Sequence, residues 1–124
     1  MAEENTALSE REQKIKELEE YISNLEQLIK EKKQAENLLH NRDFQELVLE
    51  TYCKKECVRL LKLAVCEDLP AEAKDDALAM AEDTARIKVF LDNIVHFGAI
   101  AERDIDDARK LLDEIESEKE ENNG

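Results

Sequence analysis

The sequence predicts an all-α fold, an elongated hairpin or bundle of three long helices with coiled-coil character at the N-terminus. Three observations carry this. Apolar or small residues recur from Ala77 to Ile115 at gaps of three and four: Ala77, Met80, Thr84, Ile87, Leu91, Ile94, Gly98, Ala101, Ile105, Ala108, Leu112 and Ile115. That is the spacing of one helix face packed on another helix, and the stretch lacks the period of two that a strand requires. Near the N-terminus, Ile15, Leu18, Ile22, Leu25 and Ile29 follow heptad spacing. Finally, charged residues form 40% of the 124-residue chain and aromatics 4%, with two Gly and one Pro, a composition suited to long helices rather than to a many-turned sheet.

Taken in order, the chain divides into a flexible N-terminus (1–8), a coiled-coil-like helix (9–40), a helical core (41–115) and a disordered acidic tail (116–124). Ser9 with Glu12 three residues on fits a capping box, so the first helix is expected to start there. Its heptads place Ile at a and Leu at d, the pairing that favours parallel two-stranded coiled coils. The frame decays where Lys32 and Glu36 take the next seam positions. The same face can serve a second chain or pack within this one; with the small-residue seam of Ala77 to Ile115 assigned to folding, the Ile/Leu heptads are assigned to association.

His40-Asn41-Arg42-Asp43 interrupts the pattern, and Asn41 is the expected N-cap of a second helix. That helix carries apolar residues on two sides. Phe44, Leu47, Val48, Thr51, Val58, Leu61 and Val65 form one, and Leu49, Cys53, Cys57, Leu60 and Ala64 form nearly the opposite. A helix apolar on both sides is normally sandwiched, so this one is expected to be the most buried element. Pro70 is tolerated in a first helical turn and marks the start of a third helix. Phe90 and Phe97 are expected to anchor one flank of its seam. Gly98 either ends that helix, leaving a fourth after it, or lies inside a continuous or kinked one. The unshifted three-four frame favours continuity. The small seam residues suit close approach to a bulky neighbour, for which the second helix offers Phe44, Leu47, Val58 and Leu61.

The formal charge of -14 is concentrated at the C-terminal side, where residues 67–124 hold 18 acidic and 7 basic side chains. Phosphate binding needs clustered cations, so direct nucleic-acid binding is not expected, and Arg42 to Lys62 is the only candidate surface. No apolar run approaches the roughly 20 residues needed to cross a bilayer, and the N-terminus lacks the features of a secretory signal. Three cysteines cannot all pair within the chain, and reduced thiols in a cytoplasmic setting are expected.

No catalytic constellation is found. Cys53 and Cys57 are one turn apart, but neither His40 nor His96 sits where it would complete a four-ligand zinc site. His96 falls on the outward side of its helix without an identified partner. Asp104, Asp106 and Asp107 lack the glycine and ligand order of a calcium loop. No enzyme, cofactor or metal is therefore expected. The candidate partner-binding residues are Ile15, Leu18, Ile22, Leu25 and Ile29 on the N-terminal seam, and Leu49, Cys53, Cys57 and Leu60 on the second helix.

Asn41-Arg42-Asp43-Phe44, the run Glu50-Thr51-Tyr52-Cys53-Lys54-Lys55-Glu56-Cys57-Val58-Arg59-Leu60, and Phe97-Gly98-Ala99-Ile100-Ala101-Glu102 resemble small helical proteins of tailed bacteriophages over about residues 38–105. Arg42 and the two cysteines depart from that pattern. The resemblance implies a phage assembly role, with the protein in the host cytoplasm or the virion. The expected function is a structural or assembly component acting as a homo-oligomer or docked on a larger viral or host protein. The alternative is an acidic inhibitor that mimics DNA and occupies a host nucleic-acid enzyme.

Overall fold

The structure is a computed structural model that describes the backbone of residues 2–123 and the side chains of residues 9–118. Helix α1 is Ala2–His40. Helix α2, residues 42–64, is built of three consecutive segments: Arg42–Phe44, the π-helical Gln45–Glu56, and Cys57–Ala64. Helix α3 is Ala71–Asn123. With 94% of the described residues helical and no strand among them, the all-α prediction holds.

The helix ends follow from local chemistry. α1 contains neither Gly nor Pro and is already formed at Ser9, so Ser9 is not its N-cap. At its other end the His40 Nδ1–H donates to the Glu36 carbonyl at 2.7 Å, tying the side chain of the final residue back onto the last turn. Asn41 adopts an extended backbone, and its Oδ1 accepts from the Phe44 N–H at 2.9 Å, the expected N-cap. The Pro70 carbonyl accepts from the Lys74 N–H at 3.1 Å, so Pro70 stands just before α3 rather than inside it. α3 passes through Gly98 as one helix, and no fourth helix begins there. Glu116, Ser117 and Glu118, expected in the disordered tail, continue α3. The remainder of that tail and the flexible segment expected over 1–8 lie outside the residues whose side chains are described.

The chain divides into two compact units, Met1–Lys32 with His96–Gly124, and Lys33–Val95. This division differs from the sequential one at residue 41, because antiparallel pairing joins segments distant in sequence.

In the first unit α1 and α3 run antiparallel. Ile22 and Leu25 of α1 are buried with Ala101, Ile105 and Ala108 of α3, and Leu18, Leu28, Ile29 and Leu112 pack against that cluster. Large side chains on one helix meet small ones on the other. A Cβ on Gly98 would overlap the Lys32 Cβ and stand 2.9 Å from its Cγ and 3.0 Å from the Leu28 carbonyl oxygen. Glycine is therefore what lets α1 come so close. Lys32 Nζ reaches Glu102 at 2.6 Å and Arg109 Nη2 reaches Glu26 at 3.3 Å across the same pair. Exposed ion pairs contribute about 0–1 kcal/mol, whereas burying an Ile or Leu contributes about 1.5–3 kcal/mol, so packing dominates here.

The second unit gathers the end of α1, all of α2 and the start of α3. Its buried residues are Ala35, Leu60, Ala77, Ala81, Thr84 and Leu91. The Thr84 hydroxyl donates to the Ala81 carbonyl at 2.7 Å, which satisfies the one buried polar side chain.

The three-four seam is realised along α3 with one substitution. Met80 is 54% exposed, and Ala81, 2% exposed, occupies the buried position beside it. The Ala81 carbonyl also lies 3.7 Å from the Cys57 Sγ, so α2 approaches too closely there for a methionine.

Four packing expectations are corrected. α2 is not the most buried element: Leu60 is its one buried residue among those described, and Leu47 and Val65 are 68% and 78% exposed. Its Leu49–Cys57 side faces inward and its opposite side is largely open. Phe90 and Phe97 do not anchor the seam but are each more than half exposed, because positions of close helix approach leave no room for rings. The bulky neighbour of Gly98, Ala101 and Ala108 is α1, not α2. The Ile/Leu heptads therefore face α3 of their own chain in antiparallel sense, rather than standing free for a parallel partner.

Replacing Gly98 with Ala tests the close approach. Helix propensity alone predicts a gain of about 1 kcal/mol, while overpacking costs about 1–3 kcal/mol. Because the obstructing atoms include a backbone oxygen and a Cβ, neither of which can swing aside, Gly98→Ala is expected to lower the melting temperature, and Gly98→Val to lower it further. A higher melting temperature for Gly98→Ala would contradict the packing described.

A candidate docking groove between α2 and α3

Leu49, Cys53 and Cys57 are each four residues apart, a spacing that drifts around an α-helix of 3.6 residues per turn. Leu49 and Cys53 lie in the π-helical run, with its i→i+5 geometry and wider turn, and Cys57 opens the α-helical segment that follows it. The Thr51 hydroxyl follows the same register, donating to the Glu46 carbonyl five residues back at 2.9 Å.

This side of α2 and the facing part of α3 enclose a groove of about 650 Å³. Leu49 and Cys53 line it from α2, and Ala85 and Val89 from α3. Gln45, Glu46, Glu50 and Lys54 edge it on one side, Lys88 and Asp92 on the other. Both cations are tied to carboxylates one turn away on their own helix. Lys54 Nζ lies 2.9 Å from Glu50 Oε1, and Lys88 Nζ lies 2.8 Å from Asp92 Oδ2. The groove is thus an apolar floor between two rims whose local charges are largely balanced.

Burial pushes the Cys53 thiol above its ordinary value; the nearby Lys88 ammonium acts in the opposite sense, and Cys57 adds to the rise. A thiol held in its neutral form is a weak nucleophile, so Cys53 serves the groove as a small apolar contact. Away from the groove, Arg59 is hydrogen-bonded to Glu56, with Nε on Oε2 at 3.0 Å, and this holds the Glu56 carboxyl below its usual range. Among the described residues, no three His, Cys, Asp or Glu gather as a metal site, and no helix is long and apolar enough to cross a membrane.

The residues singled out in the sequence fall into distinct environments. Leu49 and Cys53 line the groove. Cys57 is half-buried against the Ala81 carbonyl, and Leu60 is core. Ile22 and Leu25 are buried, Leu18 and Ile29 pack on their cluster, and Ile15 is half-buried. His96 is exposed beside the Phe97 ring, with centroids 5.7 Å apart. Sequence reasoning did not identify Ala85, Lys88, Val89 and Asp92. They flank the seam at helical spacing, which marks a helix face but not an opening beside it.

No family model, curated protein or solved structure matches this chain.

Alkylation tests the electrostatics of the groove. The pH midpoint for modification of Cys53 is expected to lie above that of the same residue in the denaturant-unfolded chain. Lys88→Ala is expected to move it higher still, because the ammonium favours the thiolate. A folded-state midpoint at or below the unfolded one would contradict the assignment.

Proposed function

We propose that this chain is a structural or assembly protein, not an enzyme, that works through helix–helix docking on copies of itself or on a larger partner. The observation that carries the reading is the large apolar surface left outside. Leu47, Val58, Leu61 and Val65 project outward along α2, and Val89 continues the apolar floor of the α2–α3 groove to the surface. Exposed apolar surface beside an open groove is the usual signature of an interaction site. The resemblance to small helical bacteriophage proteins supports a role in phage assembly, in the host cytoplasm or the virion.

A second reading, an acidic inhibitor that occupies a nucleic-acid enzyme by charge mimicry, is supported by the exposure of Asp104, Asp106 and Asp107 along α3. The readings respond differently to salt. Charge mimicry predicts partner binding that collapses at high ionic strength, whereas apolar docking predicts binding that persists.

The assembly reading is tested by light scattering over a range of concentrations, combined with crosslinking. A mass above that of the 14.3 kDa chain, with intermolecular crosslinks, is expected. A single chain throughout, with only internal crosslinks, would remove self-association and leave only docking on a larger partner.

A further inference from the structure

The described residues of unit one form two helical segments, so each helix has one neighbour there. The apolar stripe of a core-facing helix is at least about 100° wide, more than a single helix partner covers. The uncovered part is visible beside the Ile22–Leu25–Ile105 core. Tyr21 is 45% and Leu111 49% exposed, and the adjoining Leu18 and Ile115 are half-buried. Two shallow grooves, each about 280 Å³, share Leu18, Tyr21 and Leu111. One extends towards Lys14, Glu17 and Ile115, the other towards Asp104, Asp107 and Ala108. An apolar trio shared by two grooves offers relief suited to ridges-into-grooves packing, and the same surface can supply both ridge and groove.

We infer that this strip is the interface between two copies of the chain, paired about a two-fold axis through Leu18, Tyr21 and Leu111 into an antiparallel four-helix arrangement. The inference rests on the assembly reading above and gives it a partner and a place. The charges fit a second copy. Lys14 stands at one end of the strip and Asp104 and Asp107 at the other. A two-fold axis running across the strip reverses it, so Lys14 of each copy meets Asp104 and Asp107 of the other, while a parallel arrangement sets the aspartates of the two copies against each other. Glu17 shares the Lys14 end, and its Oε1 accepts a hydrogen bond from Gln13 Nε2 at 3.1 Å.

Light scattering on designed variants tests the inference. The unmodified chain is expected to have about twice the mass of one 14.3 kDa chain. Tyr21→Glu/Leu111→Glu is expected to reduce it to one chain while retaining the helical circular dichroism, since neither side chain is buried. Lys14→Glu tests the same interface at an exposed position, independently of the fold, and is expected to weaken dimerisation at least tenfold. Combining it with Asp104→Lys/Asp107→Lys is expected to restore the dimer. Dimerisation unchanged in both Tyr21→Glu/Leu111→Glu and Lys14→Glu would overturn this interface and leave the assembly reading standing. Failure of the charge exchange to restore the dimer would overturn the antiparallel pairing. A single-chain mass for the unmodified protein would overturn the inference together with self-association.

Discussion

Everything in the first unit depends on how closely α1 and α3 approach at Gly98. Helix axes pack about 8–10 Å apart according to the side chains between them. Here one side chain is absent, and the Lys32 Cβ occupies its place. Further along the pair, Ala101 and Ala108 stay small where Ile22 and Leu25 intrude, so the large residues of one helix fill the space left by the other. A glycine inside a helix sacrifices about 1 kcal/mol of helix propensity. That loss is offset by the burial of several branched side chains that a wider spacing would leave wet.

The same principle operates in the second unit with different atoms. At Ala81 it is a backbone carbonyl, receiving the Thr84 hydroxyl and facing the Cys57 thiol, that requires a small residue. The α2–α3 groove opens beside this contact, between Leu49 of the π-helical run and Val89 of α3. The groove and the outward side of α2 are thus consequences of how the helices pack. The apolar surface left over is what supports a docking role.

Much of this was legible in the sequence. The three-four seam identifies the buried face of α3 because burial follows helical period directly, and Asn41 identifies the start of α2 because an unpaired N–H needs an acceptor. Gly98 reads correctly as a residue within a helix because the frame passes through it unshifted. The identity of the neighbour was less legible. Small residues announce that something comes close without saying what, so the sequence assigned α2 to that place, whereas Lys32 and Leu28 of α1 stand against Gly98. For the same reason Ile22 and Leu25 suited a second chain as well as α3. Met80 and Ala81 lie three and four residues after Ala77, and period alone does not choose between them. Phe90 and Phe97 show that hydrophobicity does not secure burial where the space between helices is already taken. The groove left no sequence signal of its own, since its lining comes from two helices some thirty residues or more apart in the chain.

The central claim is that the Ile/Leu seam of α1 pairs with α3 of the same chain. Dipolar electron resonance between spin labels at Glu26→Cys and Arg109→Cys tests it most directly, with Cys53, Cys57 and Cys66 replaced by Ser. The account predicts one short, narrow distance that is unchanged when labelled protein is diluted with excess unlabelled chain. A short distance that vanishes on such dilution would place the seam between chains and contradict it.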